Sequence, residues 1–262
     1  MSNKVIDAHV HIFTVPSIKK SEKIILDSMK KYHIDYSLVS FDGSEYCDEE
    51  SRILYSQLKG TTFALDFARK HSKKIGILPW IRPHKEHNVS ELEELIKNNL
   101  DIIHGLKFHP YCSRLKITSK HLIPYIELAR KYNLPILVHT AYDEYSSIGL
   151  LVKVANKYKD INFIAAHLEL NTDNKYAINC LKETPNLFGD TAWVDPKNYR
   201  LIKKLHLEDK IMFGTDNPID GLDTYNHPYY KKYLNKKFKI DEEDYKKLMY
   251  LNAKKIYKID LK

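Results

Sequence analysis

The sequence predicts an α/β protein, a (β/α)8 barrel forming a single domain over residues 1–262, and three observations carry that reading. Eight short apolar runs rich in β-branched residues recur along the chain. Amphipathic stretches separate them, with apolar positions at intervals of three and four, the period of a helix that buries one face. The runs start 30, 39, 29, 31, 27, 25 and 24 residues apart, which suits strand-plus-helix units joined by short loops. Near-continuous apolar strands fit a parallel sheet covered on both faces. No glycine-rich phosphate loop follows the first of them, which sets aside an open doubly wound sheet.

Taken in order, the strands are VIDAHV from residue 5, DYSLVS from 35, KIGILPW from 74, IHGLKFH from 103, LPILVHT from 134, INFIAAH from 161, NLFGDTA from 186 and KIMFGTD from 210. Helical periodicity marks TTFALDFARKHS after the second strand, SELEELIKNNL (90–100) after the third, KHLIPYIELARKYN (120–133) after the fourth and SIGLLVKVANKYK (147–159) after the fifth. The last helix is DEEDYKKLMYLNAKKIY, with Asp241 as its N-cap. Two connections are long, 41–60 and 217–240. Both leave C-terminal strand ends, where barrel active sites are built, so both are expected to wall or cover a pocket.

Composition removes several classes of function. With 43% hydrophobic and 29% charged residues the chain is globular rather than disordered, and no apolar run approaches the roughly 18 residues of a membrane span. The start MSNKVIDAHVHIF lacks the basic and apolar regions of a secretory leader, so a cytoplasmic location with no membrane partner is expected. Cys47, Cys112 and Cys180 are odd in number and far apart, and read as reduced thiols. The net charge is +8, densest in HPYYKKYLNKKFK (227–239), but only six of the 42 basic residues are arginine. Scattered lysine is a solvated surface, not a base-reading one, so the expected partner is a small molecule and not nucleic acid, with homo-oligomerisation left open.

Chemistry concentrates at strand ends. His9 and His11 lie two apart on the first strand and project to one face, which Asp7 shares. His139 ends the fifth strand, His167 ends the sixth, and Asp216 follows the glycine–threonine turn after the eighth. Four imidazoles and a carboxylate buried side by side are poorly paired unless a cation satisfies them. Neutral imidazoles with a carboxylate suit a divalent metal: Zn2+ first, with Mn2+, Fe2+ or Ni2+ as alternatives, one or two per chain.

The residues DAHVH (7–11), LVHT with His139, AAHLE with His167 and FGTDNP with Asp216, together with GLKFHP (105–110) and LNAKKIY (251–257), form a pattern. It resembles the amidohydrolase superfamily of metal-dependent TIM-barrel hydrolases, and within it the amidohydrolase-2, or amidohydrolase-related, branch. The resemblance spans essentially the whole chain. It implies His9, His11, His139 and Asp216 as metal ligands, with His167 either a ligand to a second metal or a hydrogen-bonding group beside the first. It also implies Asp216 as the base, with His167 beside it in catalysis. The implied activity is hydrolysis of an amide, ester or lactone bond in a small, carboxylate-bearing molecule by metal-activated water. A decarboxylase or hydratase of the same superfamily is the alternative. A TatD-like nuclease fits less well, since GLKFHP has no acidic ligand on the fourth strand, and a non-catalytic metal-binding protein would not need the polar rim.

Gly105, Lys107 and His109 share the inward face of the fourth strand. Lys107 is expected either to bridge two metals as a carbamate, as in dinuclear members of the superfamily, or to pair with a substrate carboxylate. The HP that follows favours one metal, with Lys107 and His109 handling substrate. Arg82 and His84 in WIRPH follow the third strand, and Arg82 is a candidate clamp for a carboxylate or phosphate. Trp193 and Tyr142 are candidate apolar walls. Asp7 is expected to orient a ligand imidazole.

Overall fold

The computed structural model describes residues 4–42, 55–83, 86 and 88–261. Each apolar run becomes a strand: β1 (Ile6–Ile12), β2 (Tyr36–Phe41), β3 (Ile75–Ile77), β4 (Leu106–Phe108), β5 (Ile136–Ala141), β6 (Phe163–Leu170), β7 (Leu187–Asp190) and β8 (Ile211–Met212). The pairs β1–β2–β3 and β4 through β8 are parallel ladders in sequence order. Parallel bridges Ile77–Ile103 and Trp80–Lys107 join β3 to β4, and Val10–Asn217 joins β1 to the segment after β8. The ring is closed further by Ala8 N–H donating to Phe213 O at 2.9 Å and His11 N–H to Asn217 O at 2.9 Å. This is the (β/α)8 TIM barrel expected from the spacing of the runs. β8 is short because the Phe213 N–H donates to Leu248 O in the last helix at 2.8 Å instead of to a strand.

Helices α1 (Ile18–Tyr32), α2 (Gln57–Lys70), α3 (Val89–Lys97), α4 (Pro110–Ser113), α5 (Ile123–Tyr132), α6 (Ile148–Lys157), α7 (Lys175–Glu183), α8 (Tyr199–Lys204) and α9 (Pro228–Leu234) follow in turn. The chain ends in α10 (Glu242–Lys246), a π turn over Lys247–Leu251 and α11 (Asn252–Ile256). Caps explain several starts: Ser17, Ser56 and Ser147 accept backbone N–H groups at the heads of α1, α2 and α6, and Asp241 accepts from Asp244 N at 2.9 Å, as its position predicts. The strands bury both faces. Outward-facing residues such as Val39, Phe108 and Val138 join the helix layer in one core, while Ile6, Ala8, Leu38, Leu137, Ile164 and Met212 fill the barrel below the rim and meet Ile256 and Tyr257 of the C-terminal segment.

The lower end of the barrel is closed by a polar group. His104 Nδ1–H donates to Tyr257 O and its Nε2 accepts from Tyr36 Oη, each at 3.0 Å. Residue 76 has to be glycine beneath this ring: a Cβ there would lie 2.6 Å from Tyr36 Oη and closer still to His104 Cδ2, and neither side chain is free to move. Burial holds the His104 imidazole below its ordinary value of 6.5, so it is neutral in the fold. The unfolded chain takes up a proton through 6.5 where the folded chain does not, so stability is complete above that pH and declines as pH falls below it. The thermal unfolding midpoint is expected to drop between pH 7 and pH 5; a flat profile over that range would count against a neutral, buried His104.

Of the two roles expected of the long connections, wall or cover, the segment after β8 takes the first: Tyr225 Oη is buried on Asp7, and Tyr230 and Tyr233 of α9 are fully buried. It is a fixed wall. Most of the other long connection, 43–54 with Cys47 and Arg52, lies outside the described residues, as does His84. Cys180 carries a free thiol, as expected, while the reading of Cys47 falls outside the described residues. Among the described residues no helix is long and apolar enough to cross a membrane.

Candidate metal centre

The C-terminal strand ends bring the histidines together as the barrel closes. β1 carries a register irregularity between Asp7 and Val10, and the His9 and His11 rings emerge from it 4.9 Å apart, edge to face. His9 Nε2 is 3.0 Å from His11 Nε2, and Asp216 Oδ1 is 3.2 Å from the first and 2.9 Å from the second. Lys107 Nζ lies 3.0 Å from His9 Nε2. Asp216 reaches this point because its backbone is left-handed, φ 64°, and its N–H donates to His9 O at 2.7 Å. Gly214 allows the approach, since a Cβ there would come within 3.0 Å of His9 Cβ.

Six rings close a circle around the mouth. His11 meets Trp80 at 5.6 Å, Trp80 stacks on His109 at 5.5 Å, and His109 stacks on His139 at 3.8 Å. His139 then meets His167 edge-on at 4.8 Å, and His167 meets His9 at 5.0 Å. His167 is presented by three successive left-handed residues, His167, Leu168 and Glu169. That costly backbone is held by Asn174 Nδ2, which donates to the His167 and Leu168 carbonyls at 3.1 and 2.9 Å.

Asp190 at the end of β7 is the residue that sequence reasoning missed. Its Oδ2 accepts from His9 Nδ1 at 2.8 Å, and its Oδ1 accepts from the His167 and Ala192 N–H groups at 2.9 and 3.0 Å. A carboxylate can only accept here, so His9 carries its proton on Nδ1 and turns the Nε2 lone pair inward. The available signal was an aspartate at the end of a predicted strand, NLFGDTA, on the rim that supplied the other polar residues. Asp7 had been expected in this role, and that expectation is corrected. Its carboxylate accepts from His9 N, Thr215 N, Thr215 Oγ1 and Tyr225 Oη, so it holds the turn that carries Asp216 and touches no imidazole. His11 Nδ1 lies 2.7 Å from Ser40 Oγ; donating to it leaves Nε2 free as well.

Burial sets the charges. It pulls the His9 imidazole well below its usual range, helped by the Lys107 ammonium and opposed by Asp216, and it lowers His11, His109 and His139 in the same direction. His167 falls to about 4. Burial would push the Asp216 carboxyl up, but the imidazoles of His9, His11 and His167 gathered around it outweigh that and hold it well below the usual carboxylate range. The Lys107 amine is lowered to about 8 by burial, against the pull of Asp216, Asp190 and Asp42. The result is neutral imidazoles beside an ionised carboxylate.

These residues fit a divalent cation. Two inward-facing nitrogen lone pairs and a carboxylate oxygen within 3.2 Å of one another repel unless a positive charge lies among them. His9, His167 and Asp216 each offer a buried ligand atom within 4.8 Å of the others. His11 borders that group through His9 and Asp216, and the His139 ring meets that of His167 at 4.8 Å. His109 is on the rim, with its Nδ1 accepting from Cys112 N at 3.3 Å as the cap of α4.

The other candidates stand apart. Arg82 donates to Glu86 Oε1 and Tyr55 O, both at 3.1 Å, in a nearly buried ion pair. That ion pair is made within its own loop, and the Arg82 Nε–H has no hydrogen-bond partner among the described residues. Tyr142 is 80% exposed, beside a separate surface cavity of about 590 Å³ shared with Glu169 and Tyr176. Trp193 is no plain wall, because its indole Nε1–H donates to Asp216 Oδ2 at 3.0 Å.

Comparison with solved structures gives the same fold over the full chain. A 5-carboxyvanillate decarboxylase from Novosphingobium aromaticivorans, complexed with manganese and 4-hydroxy-3-methoxy-5-nitrobenzoic acid, matches with a TM-score of 0.71 at 10% identity, covering 98% of this chain and 97% of that one. A probable 2-pyrone-4,6-dicarboxylic acid hydrolase from Acinetobacter baumannii, with citric acid bound, matches at 0.68 and 11%, covering 98% and 100%. The 4-oxalomesaconate hydratase of Rhodopseudomonas palustris matches at 0.71 and 14%, covering 97% and 95%. At these identities the likeness is one of fold. No curated protein matches the chain. The family profile described as amidohydrolase matches residues 6–259, nearly the whole sequence, and the chain therefore belongs to the amidohydrolase family, in its amidohydrolase-2 branch.

Proposed function

We propose that this protein is a metal-dependent hydrolase that cleaves an amide, ester or lactone bond in a small, carboxylate-bearing molecule. The observation that supports this most is the meeting of His9 Nε2, His11 Nε2 and Asp216 Oδ1 within 3.2 Å, beside a buried lysine. His9, His11 and Asp216 would hold the cation, with His139 and His167 completing the set. Zn2+ is the first choice for these donors, and Mn2+, Fe2+ or Ni2+ are alternatives. When bound, such a cation supplies Lewis acidity toward a water and a carbonyl.

The chain's own groups do the remaining work. Asp216, held ionised, takes a proton from the attacking water and returns it to the leaving group. His167, neutral at pH 7, donates or accepts a hydrogen bond beside it. Lys107, fully buried with its amine lowered to about 8, draws in the substrate carboxylate, and the His109 ring packs along it. One cation per chain suffices for these roles, and it leaves Lys107 as a free amine.

A second reading has equal support from the comparisons: the same centre in a decarboxylase or hydratase, the activities named for two of the matching structures. Oxygen-18 water separates the readings once a turned-over compound is found among carboxylated amides, esters and lactones. Hydrolysis places the label in the new carboxyl group of a cleaved product. Hydration places it in a hydroxyl on an intact skeleton, and decarboxylation leaves the organic product unlabelled. Either of the last two patterns would replace the hydrolytic reading.

A further inference from the structure

We propose that Trp193 is a positioning residue for Asp216: its indole N–H holds one carboxylate oxygen so that the other faces His9 and His11. The inference rests on Asp216 being a metal ligand, and goes beyond that reading by assigning how the ligand is aimed. Asp216 Oδ2 accepts from Trp193 Nε1 at 3.0 Å, while Oδ1 lies 2.9 and 3.2 Å from the two imidazole Nε2 atoms. A carboxylate turns about its last torsion with little resistance, because that torsion is broad and two-fold. A fixed N–H on one oxygen removes that freedom and favours the anion.

The donor is itself fixed. Trp193 adopts a left-handed backbone, φ 60°, and its own N–H donates to Tyr230 Oη at 2.8 Å. Its ring stands edge-on to Tyr230 at 5.9 Å and to His227 at 5.2 Å. Tyr230 is fully buried on α9, so the wall after β8 fixes the tryptophan, and the tryptophan fixes the aspartate. The sequence marked this tryptophan as a candidate apolar wall, since nothing in the local pattern tells which residue its N–H meets.

The test is Zn2+ affinity, measured on metal-free protein by competition with a chromophoric chelator. Trp193→Phe keeps an aromatic ring but loses the donor, and Trp193→His restores an N–H. Trp193→Phe is expected to weaken Zn2+ by about 10- to 100-fold, the range typical of groups that orient a ligand, and Trp193→His is expected to recover most of it. Affinity within twofold of wild type in Trp193→Phe, or equal weakening in both variants, overturns the proposal. Asp216→Asn is run alongside: if it leaves affinity intact, the ligand reading itself has failed, whereas loss in Asp216→Asn with none in Trp193→Phe condemns the positioning role alone. Should Trp193→Phe not fold, the indole protons of the two tryptophans decide in wild-type protein. The Trp193 proton is expected to exchange slowly and to lose that protection in Asp216→Gly, which suits the left-handed backbone at φ 64° and removes the acceptor altogether. Unchanged exchange of both overturns the proposal.

Discussion

Replacing His9 and His11 together by alanine is expected to take the protein from stoichiometric divalent metal to none, as read by elemental analysis after loading with Zn2+ or Mn2+ and dialysis. Both Nε2 atoms face the point where Asp216 Oδ1 also ends, so the double change removes two of the three closest donor atoms at once. Of the group His9, His167 and Asp216 only His167 and Asp216 then remain, fewer than the three protein ligands of an open divalent site. The double change also strips Asp190 Oδ2 and Ser40 Oγ of their partners, at about 1–3 kcal/mol for each buried polar group left unpaired. Circular dichroism and a thermal scan on the same sample therefore belong with the metal assay. A folded double variant that still carries one metal per chain would refute the centre as built here.

Asp216→Asn is expected to lower turnover by at least the ~10²-fold of a lost general base while preserving the fold. Asparagine is the suitable probe, because residue 216 sits at φ 64°, and asparagine is among the side chains that tolerate the left-handed region best. The amide has nearly the carboxylate's shape, and its oxygen can still accept from the Trp193 indole, so packing at the β8 turn is kept. What it loses is the anion held ionised beside His9, His11 and His167. Wild-type turnover in a folded, metal-loaded Asp216→Asn would remove Asp216 from proton transfer.

The barrel was legible because its signal repeats. Eight apolar runs at regular spacing cannot bury both faces unless they pair in parallel under a helical layer, and all eight lie where the sequence placed them. The convergence of His9, His11, His167 and Asp216 was legible for the same reason: each stands at the end of a strand whose direction the alternation had set. The ion pair of Arg82 with Glu86 was not legible, because its partner lies four residues on in a loop with no period to follow.

By itself, then, the sequence determined the fold, the rim and the residue types that gather there, since strand direction and side-chain alternation are local and periodic. Tertiary structure alone decided which polar group meets which. Asp190 rather than Asp7 orients His9, across 181 residues of chain, and Asp7 instead ties β1 to Thr215 and Tyr225, more than two hundred residues away. Trp193 finds Asp216 because two left-handed residues on neighbouring loops turn toward each other. The physical reason is that a hydrogen bond is fixed by distances of about 3 Å and by angle, whereas strand and helix periodicity specify only a face. The partner on that face is chosen when the barrel closes.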